Sequence, residues 1–160
     1  MSDVPPAVIA GLLRRIVREA FDGPPGPWTY FTDTSAAAGI FGTIGTLGAA
    51  AASRPAGPAG STIAGHVHHL CSSLALTTRA IRGGPAARDR STTWSVTVVD
   101  AEQWDDLQAR LRREYAALLV ALETRPAWDE DTLGDAIGAI AHTAYHLGAM
   151  RQRLAVQRAD

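Results

Sequence analysis

The sequence predicts an all-α fold, a bundle of four long helices with one additional helix at the N-terminus. Three observations carry that expectation. Apolar residues recur at helical spacing in five windows of the 160-residue chain. The breaks between the windows are rich in proline and glycine, which remove backbone donors and favour turns. Only the run from Trp94 to Val99 has strand-like composition, and one strand has no partner to pair with. That run is expected as an extended loop laid over the bundle.

The first window, with Ser2 or Asp3 as cap ahead of Pro5 and Pro6, places apolar residues at Val8, Ile9, Leu12, Leu13, Ile16, Val17 and Phe21. A helix over about 5–21 follows. DGPPGP at 22–27 ends it. The second window runs from a cap at Asp33 or Thr34 through SAAAGIFGTIGTLGAAAAS and stops before Pro55. Its glycines each cost roughly 1 kcal/mol of helix propensity against alanine, so close packing would have to offset them. The third, TIAGHVHHLCSSLALTTRAI, is capped by Ser61 or Thr62 and closed by a glycine pair near 83. Asp100 with Gln103 forms a capping box for the fourth, whose stripe runs from Trp104 through Leu111 and Leu118 to Leu122. Pro126 breaks it, and the last helix starts at a cap on Asp131 or Thr132 and continues to about 156. Leu133, Ile137, Ile140, Ala144, Leu147 and Leu154 form its expected inward stripe.

A chain of this length buries about 70% of its unfolded surface, which suits one domain over residues 1–160. Its 15 basic residues, all arginine, are balanced by 16 acidic ones, so no positive field draws nucleic acid or an anionic membrane surface. No apolar run is long enough to span a bilayer. Cys71 has no partner for an internal disulfide, and no basic segment followed by an apolar one opens the chain. A cytoplasmic protein is expected.

All five histidines fall in two helical windows, His66, His68 and His69 in one and His142 and His146 in the other. Four residues apart, His142 and His146 project from one helix face about 6 Å apart along the axis, close enough to share one ion. Small residues accompany them, Gly138, Ala139 and Ala149. In the earlier window the stripe of Ile63, Val67, Leu70 and Leu74 lies nearer to His66 than to His69, so the helical wheel slightly prefers His66 as the inward residue. His69 lies beside Ser73 on the opposite flank, and His68 points elsewhere. Periodicity does not choose between His66 and His69.

TIAGHVHHLCSSLAL, IAHTAYHLGAMRQ and the Trp94-containing connector between them resemble the DinB-like superfamily of metal-dependent helical bundles, which includes YfiT-type proteins and mycothiol-dependent maleylpyruvate isomerases. The similarity spans roughly residues 30–157 and leaves the first helix outside. It implies a DinB-like bundle in which one histidine of the earlier window and the pair of the last helix hold a divalent metal. His69, followed by Leu70, matches the first ligand, and His142 and His146 match the pair, with His66 in reserve.

Three imidazoles leave a metal at least one open position, the layout of a catalytic site. Nitrogen ligands suit zinc or nickel, with iron or copper as alternatives. The resemblance implies a low-molecular-weight thiol as co-substrate. A thiol-dependent transferase or isomerase, or a hydrolase of a small substrate, is the expected function; the alternative is a non-catalytic metal- or small-ligand-binding bundle. Candidate substrate contacts are Trp94 in the connector, the Tyr145 hydroxyl and Arg151. Each has a plainer role: pinning the loop for Trp94, core packing for Tyr145, and a salt bridge or a favourable helix-end charge for Arg151 and Arg153. Asp135 reads as a first-turn acid before it reads as an outer partner of the site, and Cys71 as a small buried residue. Apolar surface on so small a bundle also suggests a homodimer.

Overall fold

Six helices and no strand make up the described residues, 4–57, 60–85 and 94–159, of the computed structural model. They are α1 (Pro6–Asp22), α2 (Ile40–Ile44), α3 (Ala49–Ala52), α4 (Ile63–Ile81), α5 (Ala101–Thr124) and α6 (Glu130–Ala159). The four long helices, α1, α4, α5 and α6, form the bundle: α4 packs on α5 and α6, and α1 on the other side of the same pair. Leu13, Val17, Ala20 and Phe21 of α1 enter one continuous core with Leu70, Leu111, Leu118 and Met150. The N-terminal helix is therefore a full member of the bundle. No described helix is long and apolar enough to cross a membrane.

The segment expected as one helix over 33–53 is instead two short ones, α2 and α3, each preceded by a glycine in extended conformation, Gly39 and Gly48. Helical spacing of the apolar residues was real, and Ile40, Ile44 and Ala52 are buried. Gly39, ahead of α2, serves close approach rather than helix continuation, whereas Gly48 faces open space. A Cβ on Gly39 would meet the Gly23 nitrogen and stand 2.5 Å from the Phe21 carbonyl oxygen, where the chain leaves α1 through Gly23 at φ 88°. Gly39→Ala should therefore cost about 1–3 kcal/mol by forcing two backbones apart. Gly11→Ala, into open space in the middle of α1, should stabilise by roughly 0.5–1 kcal/mol. Urea titration of the two variants checks both signs.

The helix starts follow hydrogen-bond logic. Thr62 caps α4 by accepting from the Gly65 nitrogen, and Asp100 and Gln103 form the full capping box of α5. For α6 the cap is Asp129 rather than Asp131 or Thr132: its carboxylate accepts from the Thr132 nitrogen and hydroxyl, both at 2.8 Å. Ser2 and Asp3 lie outside the described residues, and the position before α1 is Pro5, with no side-chain cap.

The face that α6 buries is rotated from the expected stripe. Ala136, Ala139, Thr143, His146, Leu147, Met150 and Leu154 are buried, whereas Ile137 is 53% exposed. Ala136 and Ala139 are buried on this face, and His142, further along α6, reaches His69 of α4.

The run from Trp94 to Val99 forms no strand, as expected, and residues 86–93 of the same connector lie outside the described residues. Thr62 Oγ1 donates to the Thr97 carbonyl at 2.7 Å, and the Val99 nitrogen donates to Ser53 Oγ at 3.0 Å. The strap crosses α4 at Gly65, where a Cβ would lie 3.2 Å from the Val96 carbonyl oxygen. This crossing carries Trp94 over the histidines of α4.

Candidate metal centre

Two helices supply the site, α4 with His66 and His69 and α6 with His142 and His146. His142 Nε2 lies 3.0 Å from His69 Nε2 and 2.9 Å from His146 Nε2. One ring nitrogen from each of His69, His142 and His146 falls within 4.8 Å of the other two. Ligands held about 2.1 Å from one ion at near-right angles are separated by about 3 Å, so the two short pairs have the spacing of neighbouring ligands on a common ion. The donor set fits a borderline divalent metal such as zinc or nickel.

Burial favours the neutral form of His142, His146 and His66, and a neutral imidazole is the form a metal requires. Burial lowers the pKa of His142. Burial, then repulsion from His142, His66 and His69, brings His146 down to about 3. His66 is brought to about 4 by burial, then by the charge of Arg153 and by His69.

His66 is buried, 3% exposed, as the helical wheel preferred, yet it stands outside the three-nitrogen cluster. Its Nδ1 faces Nδ1 of His146 at 2.7 Å, on the far side of that ring from His142. His142 Nδ1 faces Ser73 Oγ at 3.1 Å. His68 is half-buried and not part of the cluster. Of the residues weighed as substrate contacts, Trp94 stacks on His69 with ring centroids 4.5 Å apart and planes 17° apart, and meets His66 edge-on at 5.3 Å. Tyr145 is 69% exposed and so is not a core residue; its ring meets that of His146 edge-on at 5.1 Å. Arg151 is ion-paired with Asp33, which holds the Asp33 carboxyl below its ordinary range after the hydroxyl of Ser35 has done the same. Asp135 is half-buried on α6, two turns before His142. Cys71 is fully buried, its thiol pushed up to about 12 by burial, and is no nucleophile.

Residues 12–150 match the family described as the DinB superfamily. The chain belongs to the DinB superfamily. The match opens inside α1, so most of the N-terminal helix lies within the DinB bundle and the family region starts well before residue 30. No curated protein and no solved structure matches the chain. Three side chains that the sequence offered for other roles, Ser61 as a helix cap, Arg153 as a helix-end charge and Ser73 as a neighbour of His69, back the site in this DinB bundle. Ser73 and Ser61 back the histidine rings, and Arg153 reaches Ser61 from α6. Ser73 had a visible signal, lying one turn beyond His69 on its flank; Ser61 and Arg153 meet across 92 positions and had none.

Proposed function

We propose that this DinB-family chain is a metal-dependent enzyme in which His69, His142 and His146 hold a divalent ion, zinc or nickel before iron or copper. Its reaction is a thiol-dependent transfer or isomerisation, or the hydrolysis of a small substrate. The convergence of three imidazoles on one point is the observation that carries this reading. When bound, the ion supplies Lewis acidity that favours loss of a proton from a thiol or water at its open position. The chain's own residues then set access. Trp94 covers one face of His69 and offers an exposed aromatic surface to an apolar part of the substrate. Tyr145, exposed at the edge of His146, can donate its hydroxyl to a substrate oxygen. Arg151 would have to exchange Asp33 for a substrate carboxylate.

Metal analysis of protein purified without added metal, followed by assay against a panel of thiols with electrophilic partners and of small esters and amides, tests the proposal. Stoichiometric metal and turnover abolished by a chelator are expected. Metal without turnover on any substrate would leave a binding protein, and no metal at all would remove the reading.

A further inference from the structure

Every ring nitrogen of the α6 histidine pair has a neighbour, and the one behind His146 is the buried ring of His66. A neutral imidazole carries one proton. If Nε2 of His146 turns a bare lone pair toward the three-histidine cluster, its proton is on Nδ1, 2.7 Å from Nδ1 of His66. His66 must then accept at Nδ1 and carry its own proton on Nε2, which lies 3.2 Å from Ser61 Oγ. Ser61 Oγ also accepts from the Arg153 guanidinium at 2.8 Å, which uses its two lone pairs, and Arg153 is further fixed on the Ser61 carbonyl. The opposite tautomer of His66 would aim a proton at Nδ1 of His146 and force the His146 proton onto Nε2, closing that nitrogen to a metal.

We propose that His66 is a positioning residue for metal binding, the acceptor that holds His146 in the tautomer and orientation able to ligate, with Ser61 and Arg153 anchoring it from behind. The inference rests on the metal reading above. Histidine ligands commonly pass their second nitrogen's proton to a carboxylate, carbonyl or water, and removing such a partner costs about 10–100-fold in metal affinity. In this chain a second histidine takes that place, 80 residues away in sequence.

Zinc affinity by competition with a chromophoric chelator, on the full chain and on His66→Leu, His66→Gln and Ser61→Ala, tests it. His66→Leu leaves the His146 Nδ1 proton without an acceptor and should weaken zinc about 10–100-fold without changing stoichiometry. His66→Gln, whose amide oxygen can accept that proton, should recover most of the loss, and Ser61→Ala should fall between. Long-range 15N–1H spectra of the zinc-loaded wild-type chain need no variant to fold, and should show His66 protonated at Nε2 and His146 at Nδ1. Unchanged affinity in a folded His66→Leu, a His66 protonated at Nδ1, or a His66 nitrogen with a metal-ligated shift would each overturn the proposal. A wild-type chain that takes up no zinc removes the metal reading itself, whereas one that binds zinc as tightly without His66 removes only this inference.

Discussion

His142→Ala should abolish the thermal protection that zinc gives this chain while leaving the metal-free fold close to wild type. His142 contributes the nitrogen that stands within 3.0 Å of both His69 and His146, so its loss separates the remaining pair rather than trimming one side. Structural zinc sites with four ligands bind with about 10–16 kcal/mol, or roughly 3–4 kcal/mol per ligand, which is about a hundredfold to a thousandfold in affinity. At zinc about 100 times the wild-type Kd, the ion stabilises the folded chain by about 2.7 kcal/mol. For a chain of this size that raises Tm by roughly 5–11 °C. The same zinc concentration should protect His142→Ala by no more than about 0.4 kcal/mol, a rise of roughly 1–2 °C. The ring is only half-buried, and its loss frees Ser73 Oγ toward solvent, so Tm in the presence of a chelator should change little. Differential scanning calorimetry with and without zinc separates the two effects; equal zinc-induced shifts in both proteins would contradict the ligand assignment.

What the sequence disclosed about this site divides along a physical line. The start of α6 at Asp129 was missed, but those of α4 and α5 were legible, because Thr62 and the Asp100–Gln103 box act within one turn. The helices that carry the histidines, and their shared faces, were legible for the same reason. Segment 33–53 was not, because periodic apolar residues look alike whether they belong to one helix or to two short ones, each preceded by an extended glycine. The choice between His66 and His69 shows the limit most clearly. Periodicity ranked His66 as the inward residue, and it is the more buried of the two. Yet membership of the three-nitrogen cluster is set by where α6 crosses α4, and that crossing brings His142 to His69 while His66 meets the back of His146. Tyr145 and Ile137 were misplaced by the same ignorance: α6 buries the face of Ala136, Ala139, Leu147 and Met150, and the rotation that does so depends on its neighbours, not on a period of its own.

Glu19→Ala should be a costly substitution away from the histidines, destabilising the chain by about 2–4 kcal/mol, because one buried carboxylate accepts from several loop donors at once. Glu19, on α1, is only 2% exposed, and its carboxylate accepts from the backbone nitrogens of Tyr30, Phe31 and Thr32 at 2.8–3.0 Å and from the Thr32 hydroxyl at 2.8 Å. The clamp ties the loop after α1 to the bundle, and at the next residue Asp33 holds Arg151 of α6. Alanine would orphan these donors together, while Glu19→Gln keeps one oxygen but turns an amide N–H₂ toward donors and should lose about half as much. The pH dependence has a definite sign. Burial raises the Glu19 pKa, but the hydrogen bonds from Phe31, Tyr30 and Thr32 together outweigh it, so the folded value lies below the ordinary 4.5. A carboxyl depressed in the folded state stabilises fully above its unfolded pKa and loses that contribution as pH falls through the lower folded value. His66 and His146, depressed by burial from 6.5, begin to cost stability at a higher pH, once the unfolded chain takes up protons below about 6.5. Wild type and Glu19→Gln share that histidine loss. The stability difference between them, measured by urea titration, should therefore stay flat from pH 7 to about 5 and shrink only below about 4.5. A difference already shrinking at pH 6 would mean that the clamp does not act through the Glu19 charge.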